Sequence, residues 1–112
     1  MESDIGTFTP KGLSFSGSNP KAQCIINEVL KLLQPINATQ LKLGAEVSDL
    51  IVFVDKGVPI SSLENLNEKL FVFHHTNGDT MTVENTDQLD LCTAVWAATS
   101  YAFAALDDQL PR

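Results

Sequence analysis

Both histidines of the chain stand side by side in Phe71-Val72-Phe73-His74-His75-Thr76-Asn77-Gly78-Asp79-Thr80, at the end of an apolar run and just ahead of a Gly-Asp turn. Imidazole is the commonest protein ligand for zinc and the usual acid or base near neutral pH. An apolar run that stops on such groups and then turns is expected to present them at the rim of a sheet, where the sites of α/β folds lie. The carboxylates that could join them are Asp4, Asp49, Asp55 and Asp79. Asp4 ends Glu2-Ser3-Asp4 at an expected strand end, whereas Asp55 is expected in solvent beside Lys56. Two histidines one helical turn apart with a glutamate between them, Cys-x-x-Cys, a phosphate-binding glycine loop and Gly-x-Ser-x-Gly are all absent from the sequence. Acyl transfer by serine or cysteine therefore has no support, and metal chemistry by histidine and carboxylate remains. The plainer alternative is a pair of histidines that only caps or lines a turn near a sheet edge.

The elements that must hold these groups follow from the rest of the chain. Its 112 residues suffice for one small domain, and 44% hydrophobic against 19% charged residues describe a globular chain. Seven scattered basic residues against fourteen acidic ones, net −7, argue against nucleic acid, whose phosphates need clustered Lys and Arg. No apolar run approaches the roughly 20 residues of a membrane helix, and no signal peptide is visible at the start. Cys24 and Cys92 fall in two expected helices and read as buried thiols, although a bridge between them stays open.

In order, Ile5 to Pro10 reads as the end of a strand running into a loop, and Leu13 and Phe15 alternate as if packed within a Gly- and Ser-rich stretch. A chain that opens on such an interior element is expected to be a piece of something larger. A helix from about residue 20 to 34 has Asn19 as cap and Pro20 in its first turn, with Ala22, Ile25, Ile26, Val29, Leu30 and Leu33 in one stripe. Pro35 ends it, and Asn37-Ala38-Thr39 is a glycosylation sequon. Gln40 to Leu43 is a short strand broken by Gly44. Leu50 to Val54 is apolar and β-branched like a strand, yet Ser48 or Asp49 could cap a helix there and Gly57 could close it. Val58 to Leu63 reads as a strand, and Pro59 makes it an edge strand or marks its first residues. The last helix, about 86 to 108, has Asn85 as cap and Gln88 in capping-box spacing. Leu91, Val95, Ala98, Ala102 and Ala105 make one face of it, and Cys92, Trp96, Phe103 and Leu106 another, so burial by more than one neighbour is expected. The alternation implies an α/β fold with a mostly parallel sheet.

Phe73-His74-His75-Thr76-Asn77-Gly78-Asp79-Thr80-Met81-Thr82-Val83 resembles the last metal-ligand motif of the carboxypeptidase Q family, in the co-catalytic zinc aminopeptidase and carboxypeptidase clan. Glu2-Ser3-Asp4-Ile5-Gly6-Thr7-Phe8, Gly12-Leu13-Ser14-Phe15-Ser16-Gly17, Leu33-Gln34-Pro35, Ser48-Asp49, Gly57-Val58-Pro59, Ala94-Val95-Trp96-Ala97 and Leu110-Pro111-Arg112 fall in the family's order. The resemblance covers essentially the whole chain and implies that residues 1–112 are the C-terminal part of the catalytic domain. It further implies a partial three-layer αβα sandwich, incomplete without the upstream half. Asp4 and His75 match two ligands of one zinc ion of a two-zinc site. The other ligands and the glutamate base of the family lie upstream of Asp4, so the resemblance places no general base in this chain. His74 has no counterpart among the ligands; relatives carry a hydrogen-bond donor near the developing oxyanion there, and His74 either fills that role or only lines the cleft. Asp79 is either an acceptor that orients His75 or a turn residue after Gly78. The match at Ser48-Asp49 favours a short helix over 49–56. Some relatives carry a tyrosine donor just before that pair, and Ala45 and Val47 cannot replace it.

The implied activity is zinc-dependent exopeptidase action on dipeptides or short peptides, by a protein that is secreted or lysosomal, glycosylated and a homodimer. For this chain alone no activity is expected, a fragment of a gene model begun at an internal methionine being the simplest account. A truncated homologue acting as a non-catalytic binding or dimerisation module is the alternative, and an unrelated small α/β protein whose histidines cap a turn is a third.

Overall fold

The computed structural model describes residues 1–45 and 47–112. Its elements are β1 (Pro10–Ser16), α1 (Pro20–Lys31), β2 (Gln40–Leu43), α2 (Ile51–Val54), β3 (Ile60–Asn65), α3 (Leu70–Phe73) and α4 (Thr86–Ala104), with short 3₁₀ turns at Gln34–Ile36 and Met81–Val83. The fold is mixed α/β, with an open three-stranded sheet in the order β2-β1-β3. β1 runs parallel to β2 and antiparallel to β3, so the expected mostly parallel sheet is a mixed one within this chain. A further parallel bridge joins Glu2 to Ser62 on the far side of β3.

Alternation along the strands decides where the core sits. Leu13 faces Leu63 across the antiparallel pair and Leu41 across the parallel one. With Phe15 these residues meet the stripe Ala22, Ile26, Leu30 and Leu33 and, from α4, Cys92 and Val95. Each fully buried Leu, Ile or Phe contributes about 1.5–3 kcal/mol by leaving water. Both long helices thus lie on one face of the sheet. The opposite face is polar: Ser14 stands opposite Ser62, and Lys42 of β2 reaches Glu64 of β3 at 3.3 Å across β1. The chain therefore holds two layers of a three-layer sandwich, the sheet and one helical layer.

The caps behave as their chemistry dictates. The Asn19 side chain accepts from the Lys21 amide at 3.0 Å, with Pro20 in the first turn of α1. The Asn85 side chain accepts from the Gln88 amide at 3.0 Å, but the Gln88 side chain donates to Thr9 instead of back to Asn85, so half of the capping box forms. The apolar approach to the histidines, residues 70–73, forms a helical turn closed by the His74 amide on the Leu70 carbonyl at 2.8 Å. One expectation about the thiols is corrected. Cys24 is exposed on α1, off its buried stripe, while Cys92 is buried, and both are free thiols. In α4 the Cys92, Val95 and Thr99 stripe is buried and joins the core with the sheet and α1, while Ala98 and Ala105 face solvent, so part of its apolar circumference stays uncovered among the described residues. The Leu50–Val54 conflict resolves as a helix, with Gly57 at φ +67° following it.

Candidate functional site

The site is set by a segment that forms no strand of its own. Residues 2–9 run between β3 and α4, stitched by the Glu2 amide to the Ser61 carbonyl (3.0 Å), Asn65 Nδ2 to the Gly6 carbonyl (2.8 Å), Cys92 Sγ to the Phe8 carbonyl (3.0 Å) and Gln88 Nε2 to Thr9 Oγ1 (3.0 Å). Because the bridge from Glu2 to Ser62 is parallel, this segment and β3 leave the sheet in the same direction. Asp4 therefore comes off at the end of the sheet from which β3 leads into α3 and the two histidines. Carboxyl ends of parallel neighbours are where ligand sites of α/β sheets form.

A cleft of about 180 Å³ opens there, lined by Asp4, Gly6, Phe8, Leu70, Phe73, His74, Asp79, Val83 and Glu84. The structure thus brings Asp4, His74 and Asp79 together, although they are 75 positions apart at most in sequence. His75 is not among the lining residues. It lies against the cleft wall instead, its ring stacked on His74 with centroids 3.9 Å apart and planes at 24°. His74 also meets Phe71 in a T-shaped contact, ring centroids 6.1 Å apart and planes at 89°. His75 has φ +58°, a left-handed conformation that histidine adopts more readily than most residues and that turns the chain sharply out of α3. Thr76 secures the turn, its hydroxyl donating to the Phe73 carbonyl at 2.6 Å. The Asp79 amide donates to the Thr76 carbonyl at 3.1 Å, and its carboxylate makes no hydrogen bond to either imidazole among the described residues, which favours the turn role. Asp49 and Asp55 are exposed and lie outside the cleft.

Two features escaped sequence reasoning. Glu84 lines the same cleft and accepts a hydrogen bond from the Thr7 hydroxyl, so three carboxylates face one small volume and bias it toward cationic groups. Burial, with the Glu84 carboxylate adding to it, pushes the Cys92 thiol up to about 11 and keeps it out of nucleophilic chemistry at neutral pH. The second feature is Glu2. Its carboxylate accepts from the amides of Ser48 (3.0 Å), Asp49 (3.3 Å) and Leu50 (3.2 Å) and from the Ser48 hydroxyl (2.7 Å). That hydroxyl also lies 3.2 Å from Asp4 Oδ2, so Ser48 ties the Glu-Ser-Asp motif to the start of α2. The signal was available as an acid and a Ser-Asp pair, but nothing in the spacing of positions 2 and 48 joins them.

Those hydrogen bonds pull the Glu2 carboxyl down from its ordinary 4.5 to about 2. A depressed carboxyl stabilises the fold above its unfolded pKa, and that contribution is lost as pH falls through the folded one. The expected result is that Glu2 titrates near pH 2 in a carboxyl-detected NMR titration. Protection of the Ser48, Asp49 and Leu50 amides should then fall between pH 4.5 and 2, and Glu2→Gln should remove this acid limb. An ordinary midpoint near 4.5 would show that the amides point elsewhere in solution.

Among the described residues no group of three or more His, Cys, Asp or Glu side chains is gathered closely enough to hold a metal ion. Asp4 and His75 offer a hard oxygen and an imidazole nitrogen, the donor types zinc takes, but two donors fall short of the four-coordinate site it prefers.

The fold is that of a piece of an M28 peptidase: a peptidase M28 precursor from Shewanella amazonensis SB2B superposes with a TM-score of 0.78 over 97% of this chain and 25% of that one, at 23% identity. No protein-family model matches the chain. In sequence the chain is a relative of carboxypeptidase Q along its whole length, 49% identical to the proteins of Bos taurus and Xenopus laevis and 48% to that of Homo sapiens, over 112 residues each. It spans 24% of the length of these relatives. No helix among the described residues is long and apolar enough to cross a membrane.

Proposed function

We propose that this chain is the C-terminal part of a zinc exopeptidase catalytic domain and that Asp4 and His75 supply two ligands of one zinc ion. The observation that carries this reading is the convergence at one cleft: Asp4 lines it together with His74, and His75 is stacked flat on His74. Whole-length similarity to carboxypeptidase Q gives that convergence its chemical meaning. In the complete domain the zinc pair would polarise a peptide carbonyl and supply hydroxide at neutral pH. This chain's part is to hold a carboxylate and an imidazole on fixed turns, with His74 placed to donate a hydrogen bond at the cleft wall. Substrates of the complete protein are dipeptides or short peptides with a free N-terminus, handled in the secretory pathway or lysosome by a homodimer. The isolated chain, with two donors and no general base, does not hydrolyse peptides.

The test is calorimetric zinc titration of the wild type, Asp4→Ala, His75→Ala and His74→Ala. Losing a ligand should cost more than losing a supporting contact, so the first two variants should weaken zinc binding by about 100-fold. His74→Ala should bind as wild type does. If Asp4→Ala and His75→Ala both bind like wild type, the ligand assignment is wrong.

The second reading, a non-catalytic binding or dimerisation module, is favoured by one observation: all four residues of α2 and Phe71 and Val72 of α3 expose apolar side chains. Concentration-dependent light scattering separates it, since a self-associating module raises its mass with concentration and the ligand-bearing piece does not.

A further inference from the structure

We infer that Asn77 is a site of spontaneous deamidation and that the reaction rebuilds the turn behind the two histidines. Asn77 is the chain's one asparagine followed by glycine. After the others the next residue carries a side chain or is Pro20, which has no N–H to give up. Asn77 and Gly78 are both exposed, and the Asn77 side-chain amide makes no hydrogen bond among the described residues. Glycine lets its backbone nitrogen approach the carboxamide because it carries no Cβ. The Gly78 nitrogen attacks Asn77 Cγ and closes a succinimide ring. The Cγ–Nδ2 bond breaks, and ammonia leaves with the proton that the Gly78 nitrogen gives up. Water then opens the ring at either carbonyl and leaves aspartate or isoaspartate, with no oxidant or reductant taking part.

The turn also contains a brake. Thr76 Oγ1 accepts from the Gly78 amide at 3.1 Å, while its own proton goes to the Phe73 carbonyl at 2.6 Å. The nitrogen that must lose its proton to attack is thereby held, in the local side-chain to backbone pattern that threonine forms in turns. The same turn has the most to lose from the reaction. The Asp79 amide reaches the Thr76 carbonyl at 3.1 Å and the Thr80 amide reaches the Gly78 carbonyl at 3.0 Å, so the backbone closes around Asn77 and Gly78. Isoaspartate puts its side-chain methylene into the backbone and lengthens this stretch by about 1.5 Å. It also adds a carboxylate close to Asp79, at the rim of a cleft already lined by Asp4, Asp79 and Glu84. His75, at φ +58° and stacked on His74, precedes Asn77 by two residues and feels both changes.

Zinc plays no part in the readouts, which are peptide mass, methyl transfer and amide exchange, so this inference and the ligand assignment fail separately. The wild-type chain is held at neutral pH and body temperature and its peptides are sequenced by mass spectrometry. Deamidation should appear at Asn77 before any other asparagine. Part of the product should be isoaspartate that accepts a methyl group from protein isoaspartyl methyltransferase. The reaction should run slower than in a synthetic peptide of residues 71–82, which lacks the turn. Thr76→Val should speed it by roughly 3- to 10-fold, the contribution of one hydrogen bond, and Thr76→Ser should keep the wild-type rate. Gly78→Ala should bring it close to a halt. That variant fits the turn, since the atoms nearest the added methyl would be Thr76 Oγ1 at 3.4 Å and a Phe73 ring carbon at 3.6 Å. Amide exchange at Asp79 and Thr80 should quicken in the aged wild type but not in freshly made Asn77→Asp, which adds the charge without the methylene. A wild-type chain in which Asn77 stays intact overturns the site. Equal rates in wild type and Thr76→Val overturn the brake, and a deamidated chain with unchanged exchange overturns the rebuilt turn.

Discussion

Gly12→Ala is expected to cost at least about 4 kcal/mol and to leave the chain without a cooperative unfolding transition. Gly12 lies in β1 at φ +146°, next to the irregularity that shifts the register against β3 between Pro10 and Gly12. A methyl group added there would sit 2.0 Å from the carbonyl oxygen of Gln40, 2.7 Å from its nitrogen and 2.9 Å from its carbonyl carbon. These are backbone atoms of the neighbouring strand, so no side-chain rotation relieves the clash, and β2 must separate from β1. Gly44→Ala is the matched control. It too has a positive φ, +88°, but nothing lies within 4 Å of the added methyl. Only the backbone conformation is penalised there, by about 1–2 kcal/mol. Urea denaturation of the two variants separates contact from conformation, and equal losses would mean that β1 and β2 are not as close at Gly12 as the structure has them.

That glycine also shows what the sequence could and could not convey. Ile5 to Pro10 reads as the end of a strand running into a loop and Lys11 to Ser18 has a loop's composition, yet the strand is Pro10–Ser16, and the alternation of Leu13 and Phe15 was its one local trace. The glycine belongs there because a neighbouring backbone approaches it, and a neighbour is a tertiary fact that no local window contains. Helices were more legible because their signals are local. The Asn19 and Asn85 caps, the α1 stripe and its end before Pro35 all rest on residues within a few positions of one another. The Leu70–Phe73 run shows the reverse case. Its four apolar residues suit a strand as well as a helical turn, and no strand partner was available to decide the matter.

The candidate site divides in the same way. His74, His75 and Asp4 could be named because each belongs to a short motif of recognisable chemistry. The cleft that Asp4 and His74 share, with His75 stacked on His74, could not be foreseen from spacing, since it depends on the parallel bridge at Glu2 and on Asn65 holding Gly6. Glu84 was missed because an acid just ahead of a helix cap reads as solvated surface. Glu2 was missed because the amides it satisfies lie 46 to 48 positions away. In both cases the carboxylate acts on groups brought near by folding, and its type alone carries no direction.

Phe15 and Phe71 should respond very differently to truncation. Phe15 is 1% exposed and packs with Leu13, Ile26 and Leu63 in the core, so Phe15→Ala should cost about 3–5 kcal/mol by lost transfer energy and the cavity left behind. Phe71 is 81% exposed and touches His74 edge-on, so Phe71→Ala should change stability by no more than about 0.5 kcal/mol. Hydrophobicity is equal at the two positions, and the difference comes entirely from what the sheet and helices place around them. The same contrast bears on the wider reading. If this chain is one part of a larger domain, Phe71→Ala should stay neutral in the 112-residue chain yet destabilise the assembled protein, where α3 would be covered. Chemical denaturation of both forms decides it. A Phe71→Ala variant that is neutral in both would mean that the apolar surface of α3 faces water in the complete molecule, and it would remove the argument that the exposed side chains of α2 and α3 await a partner.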